Sequence, residues 1–161
     1  MRNVFFLSLA VMTLWACQND QKAKWNGLDL LPYGIPITIL APDSADVNVN
    51  NMGVMKDLTI KEGEDFDVQI FASSVTSESL AELKANQLEE VKSNRFFSKI
   101  VKDEINGFVY ETVIDSNNIN YGFRHVHYQG DLEYVFQQSL IGSFSLEQIE
   151  KMYEAVKQDG E

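Results

Sequence analysis

Apolar and polar positions alternate with period two along much of this chain, and they switch to the helical period in two places. Ile35-Pro36-Ile37-Thr38-Ile39-Leu40 runs into Ala41-Pro42-Asp43, a turn signal. It predicts an edge strand, because proline has no ladder donor. Val47 and Val49 alternate with Asn48 and Asn50 and predict a second, short strand. Residues 54–60 and 66–72 predict two more, joined into a hairpin through Lys61-Glu62-Gly63-Glu64-Asp65. Leu80, Leu83, Leu88 and Val91 then recur at helical spacing and predict a helix over 77–94, capped by Thr76 or Ser77. Four strands follow, over 98–105, 108–115, 120–128 and 132–140. Asn106-Gly107 predicts a type I′ turn between the first two, and Gln129-Gly130-Asp131 a three-residue turn between the last two. The final helix has the clearest start: Ser145-Leu146-Glu147-Gln148 is a capping box, and Phe144 with Ile149 matches a hydrophobic staple. Ile149, Met152, Tyr153 and Val156 form its apolar stripe.

Strands, a helix, four strands and a helix make an α+β chain with a mostly antiparallel sheet. The later strands are apolar on alternate sides, so both sheet faces are expected to be at least partly covered, with helices packed on them. Ala41-Pro42, the helix over 77–94, residues 97–101, Gly107-Phe108-Val109-Tyr110-Glu111 and Ser143-Phe144-Ser145 carry a resemblance to the PsbP-like sandwich. The resemblance spans most of residues 35–157. It implies an accessory or docking module. It contains no catalytic motif, and no functional residue carries over with it.

The N-terminal stretch has a different pattern. Met1-Arg2-Asn3 is a charged head, and residues 4–16 are apolar apart from Ser8 and Thr13. The run is shorter than the roughly 20 residues that a spanning helix requires. It ends at Leu14-Trp15-Ala16-Cys17, on the only cysteine of the chain. This stretch resembles the lipobox of bacterial lipoproteins, although Trp15 is an unusual residue within one. The resemblance implies that residues 1–16 are a signal peptide, that Cys17 is acylated, and that a lipid anchor holds the protein in a membrane. Residues 17–26 are then a polar tether, and residues 27–161 a single domain. Gln18 in place of aspartate implies an outer-membrane location, facing the periplasm or the cell surface.

Charge narrows the partners. The chain carries a net charge of −11, one unit more negative once Arg2 leaves with the leader. Nucleic acid is excluded, since binding it requires neutralising phosphates. Anionic headgroups repel such a chain, so the lipid has to hold it at the membrane. An envelope protein is the expected partner. With Cys17 acylated, disulfides and cysteine catalysis are excluded as well.

Few residues suggest chemistry. Asp46-Val47-Asn48-Val49-Asn50 begins like a calcium loop, but Asn51 and Asp57 stand where glycine and glutamate are required. His125 and His127, two apart on one strand, point the same way. With a three-residue turn at 129–131, Glu133 falls beside His127. The three could hold a metal, but the favoured reading is a pair of histidines packed at the edge of a core with His127 bonded to Glu133, and no bound metal is expected. Arg124 falls opposite Glu111 if Asp115 pairs with Asn120, making a cross-strand ion pair. There is no phosphate-binding glycine loop and no nucleophile elbow. A non-catalytic docking module without a cofactor is the favoured expectation. A metal-dependent or carboxylate-based envelope enzyme using His125, His127 and Glu133 is the alternative.

Overall fold

The computed structural model describes residues 25–116 and 118–157. In chain order they form β1 (Asn26–Asp29), β2 (Thr38–Ala41), β3 (Asp46–Met52), β4 (Met55–Glu62), β5 (Phe66–Ser74), α1 (Leu80–Ser93), β6 (Phe97–Glu104), β7 (Gly107–Asp115), β8 (Asn118–Gln129), β9 (Leu132–Gln138) and α2 (Leu146–Val156). Strands β3 to β9 make one sheet in the order β3-β4-β5-β9-β8-β7-β6, and β1 with β2 makes a separate ribbon. Every neighbouring pair is antiparallel. The chain lays down β3, β4 and β5 side by side, and α1 carries it to the far edge. From there β6 to β9 return until β9 closes on β5. The class is therefore α+β with a mostly antiparallel sheet.

Alternation in the strands sorts side chains onto two faces of unequal size. Leu58, Ile60, Val68, Ile70, Val109 and Phe123 are buried on one face, against Ile149, Met152, Tyr153 and Val156 of α2. The ribbon region packs on the same face through Leu30, Ile35, Ile37 and Ile39. Phe108 and Tyr110, which flank Val109 and so point the other way, form a smaller core with Val91 of α1. The helices thus cover opposite faces. Helix α1 buries only Leu83 and Val91, whereas α2 buries five of its residues.

Several local expectations change. Residues 35–40 do not enter the main sheet: Thr38–Ala41 pairs with Asn26–Asp29, which has too little alternation to be visible beforehand. Asn26, expected to be tether, is the first residue of that strand. Val54 sits in the turn between Met52 and Met55, not in β4. The N-cap of α1 is Ser79, whose hydroxyl accepts from the Glu82 N–H, not Thr76 or Ser77. The capping box of α2 forms as its spacing predicts, with both reciprocal bonds present.

Turn geometry brings larger corrections. The β6–β7 turn lies on Ile105-Asn106, and Gly107 opens β7. No non-glycine residue among those described has positive φ, and neither does Gly107, so the type I′ turn at Asn106-Gly107 is not formed. Gly107 is small for another reason: a Cβ there would lie 2.5 Å from the Arg124 carbonyl oxygen and 2.8 Å from the Tyr153 hydroxyl. Gln129 pairs with Leu132, so the β8–β9 turn has two residues and not three. Gly130 takes φ +61° at its first position, where a II′ turn favours glycine.

Candidate functional site

The shorter β8–β9 turn dismantles the alternative metal constellation of His125, His127 and Glu133. Removing one residue from the turn shifts the register by one and turns Glu133 to the other face. Tyr134 now pairs with His127, and Glu133 pairs with Tyr128. The two histidines do share a face, as their spacing predicts, but it is the face of the larger core. His125 is 2% exposed, with its ring 5.6 Å from Phe136 and 6.0 Å from Tyr153. His127 stacks at 6.2 Å on Tyr134. Glu133 points toward the start of α1, where it accepts from the Thr76 N–H at 3.2 Å, the Thr76 hydroxyl at 3.1 Å and the Ser77 N–H at 3.4 Å. The residues expected to cap α1 instead fix the loop leading into it. Among the described residues no group of three or more His, Cys, Asp or Glu side chains is placed to hold a metal.

Arg124 is also displaced from its expected partner. Asp115 pairs with Asn118, so Arg124 lies opposite Phe108, and Tyr121 lies opposite Glu111. Glu111 pairs with Lys99 at 3.2 Å and accepts from Ser98 at 2.8 Å. The buried guanidinium of Arg124 lies on the α1 face. There it donates to the Phe123 carbonyl at 3.1 Å and to the Tyr110 hydroxyl at 3.4 Å, with Glu90 at 3.9 Å.

A dense polar cluster joins the end of β6 to the end of α2. The Tyr153 hydroxyl donates to Glu104 Oε2 at 3.0 Å, and Lys157 Nζ reaches the same oxygen at 2.7 Å. Lys102 Nζ spans Glu104 Oε1 at 2.8 Å and Glu154 Oε1 at 2.7 Å. Both lysines lie over the Tyr153 ring, at 5.2 and 4.7 Å from its centroid. Burial alone would push the Glu104 carboxyl up; bonds from Lys102, Lys157 and Tyr153 outweigh it and hold the group down at about 2. Burial, reinforced by Glu104, pushes the Tyr153 phenol well above its ordinary range, so it is neutral and a poor nucleophile. A cavity of about 410 Å³ adjoins the cluster, bordered by Ile105, Asn106 and His125. Two ammonium groups and two carboxylates compensate one another here, which suits a structural clamp.

A larger concavity, of about 820 Å³, lies between α2, the ribbon and the β4–β5 hairpin. Its apolar lining comes from Trp25, Leu40, Pro42, Phe66 and Ala155. Trp25 lies within the expected tether but, as suits its large apolar ring, packs on the domain, edge-on against Phe66 with centroids 4.9 Å apart, so the folded region begins at least two residues earlier than expected. Around this lining stand Glu62, Asp65, Glu147, Glu150 and Glu154, against a single cation, Lys151. The volume falls within the range of about 300–1,000 Å³ common to binding clefts. Nothing in local sequence marks this groove. It is assembled from segments more than 100 residues apart, and its aromatic wall comes from a residue in a polar stretch.

The expected signal peptide, Cys17 and tether residues 17–24 lie outside the described residues. No helix among the described residues is long and apolar enough to cross a membrane. Comparison of the chain with family profiles, with curated proteins and with solved structures finds no match.

Proposed function

We propose that this chain is a lipid-anchored, non-catalytic binding module of the bacterial cell envelope. Acyl chains on Cys17 hold it in the outer membrane, facing the periplasm or the cell surface, and the folded region docks an envelope protein. The observation that carries the binding half of this reading is the groove beside α2, with its apolar lining and acidic rim. The lipobox-like Leu14-Trp15-Ala16-Cys17 carries the anchoring half. Each buried methylene of an acyl chain contributes about 0.8 kcal/mol, so two or more chains anchor stably. The finer architecture we propose is a PsbP-like sandwich, supported by helices on opposite sheet faces.

Two experiments test the halves separately. Cys17→Ser removes the acceptor for the thioether-linked lipid, and membrane fractionation is expected to find the variant unprocessed or released. A variant processed and membrane-bound like the parent would refute the anchor. For docking, a photo-crosslinking residue at Leu40, in the groove, is compared with one at Thr59, on the opposite sheet face, in cells that make the protein natively. Discrete adducts from position 40 alone are expected; equal labelling from both positions would refute a groove-centred interface.

A further inference from the structure

We infer that the groove beside α2 is built for a short cationic amphipathic segment of a partner protein. The inference rests on the docking reading and adds the chemistry of the partner. Leu40 is half-exposed on an otherwise regular strand, and Phe66 and Ala155 supply a buried floor beneath it. An apolar floor of this kind takes side chains such as Leu or Phe, as in segments that lay one apolar face into a groove.

The rim supplies the sign. Lys151, its lone cation, is occupied by Glu147 at 3.0 Å. Glu154 is neutralised from outside the groove by Lys102 and Lys157. That leaves Glu62, Asp65 and Glu150, which form no ion pair among the described residues. Glu62 accepts from the Ser44 hydroxyl, and Asp65 accepts from Gln148 Nε2 at 2.6 Å. These contacts fix the two carboxylates in place without cancelling their charge. Three uncompensated carboxylates around an apolar floor complement lysine or arginine spaced between apolar residues.

The same charges argue against two other occupants. A second copy of this chain brings another net charge of −11, and an anionic lipid surface brings phosphates. Both are repelled from the rim.

The test uses the full chain in neutral detergent and short labelled peptides read by fluorescence anisotropy. One peptide alternates Leu with Lys, one Leu with Glu, and one Gly with Lys. The Leu/Lys peptide is expected to bind saturably and more weakly as salt rises, with both controls about tenfold weaker or worse. Glu62→Lys with Glu150→Lys is expected to weaken it about tenfold, and Leu40→Ser several-fold. Circular dichroism and melting temperature are expected to stay at the parental values in these variants.

Equal binding of Gly/Lys and Leu/Lys peptides would reduce the effect to a generally acidic surface and overturn the inference. So would binding that charge reversal leaves unchanged, or self-association of the chain that competes with the peptide. Crosslinking from Leu40 in cells separates the two levels. If adducts form there while the Leu/Lys peptide fails to bind, the cationic assignment falls and docking stands. If the peptide binds as described and no adduct forms, the groove's preference stands and docking falls.

Discussion

Single residues in this chain answer to register and space more than to local pattern. The same-face placement of His125 and His127 was legible, because side-chain direction in a strand depends only on parity. The placement of Glu133 was not, because it depends on whether the turn holds two residues or three, and both lengths suit Gly130. Arg124 was misplaced for the same reason, at the β7–β8 hairpin, where a register shift separates Val113 from Asp115. Gly107 shows a residue correctly singled out on an incorrect argument. It needs no positive φ; it needs the absence of a Cβ beneath the Tyr153 hydroxyl and beside the Arg124 backbone. A positive-φ site tolerates asparagine, and a crowded site does not. Gly107→Ala is therefore expected to destabilise by about 1–3 kcal/mol, the cost of overpacking a filled site. Gly107→Asn should cost at least as much, and denaturant unfolding of the two variants decides it. An asparagine variant as stable as the parent would restore the turn explanation.

At the scale of elements, strongly periodic segments were predictable and weakly periodic ones were not. Helix α2 announced itself because capping chemistry and an apolar stripe coincide over Ser145 to Val156. Strand β1 stayed hidden because Asn26-Gly27-Leu28-Asp29 has one large apolar side chain, and its partner strand, rather than its own pattern, decides its conformation. The β3–β4 turn was hidden by the opposite cause: Val54 beside Met55 reads as the apolar start of a strand, although Val54 is 93% exposed at the tip. The two helices should differ when their apolar faces are truncated. Leu83 is 5% exposed on α1 but belongs to neither of the two core clusters, so Leu83→Ala is expected to cost about 2–3 kcal/mol, near the low end for such truncations. Met152 is fully buried beneath α2, and Met152→Ala should cost about 3–5 kcal/mol. Chemical denaturation compares them directly. A larger loss at Leu83 would show that α1 contributes more to the fold than its few buried side chains indicate.

Over the whole molecule, the fold must close an edge strand onto a terminal helix, and the Glu104 cluster is where that closure occurs. Strand β6 is one of the two edge strands of the sheet, with two register irregularities against β7, so backbone pairing alone holds it loosely. Glu104 at its end receives Tyr153 and Lys157 from the α2 side and Lys102 from its own strand. This coupling predicts a specific pH dependence. The Glu104 pKa is lowered from an ordinary 4.5 to about 2 in the folded chain. Because the folded value lies below the unfolded one, its stabilisation is fully present above about pH 4.5 and disappears as pH falls toward 2. Lys102 is shifted the other way, upward, by its bonds to Glu104 and Glu154. Its contribution is full below its ordinary value of 10.5 and is lost only as pH rises beyond it, so it does not shape the acid limb. The carboxylate is about one-third exposed, and solvent screening reduces the expected worth of the charge to about 1–2 kcal/mol. Glu104→Gln keeps the shape of the side chain and removes that charge. At pH 7 its melting temperature should fall below the parental value. The gap should narrow as pH drops below about 4.5 and close near pH 2. Global acid unfolding driven by the other carboxylates acts on both proteins and cancels in the difference. A gap that stays constant from pH 7 to pH 3 would show that Glu104 acts through packing alone and that the edge is closed by other contacts.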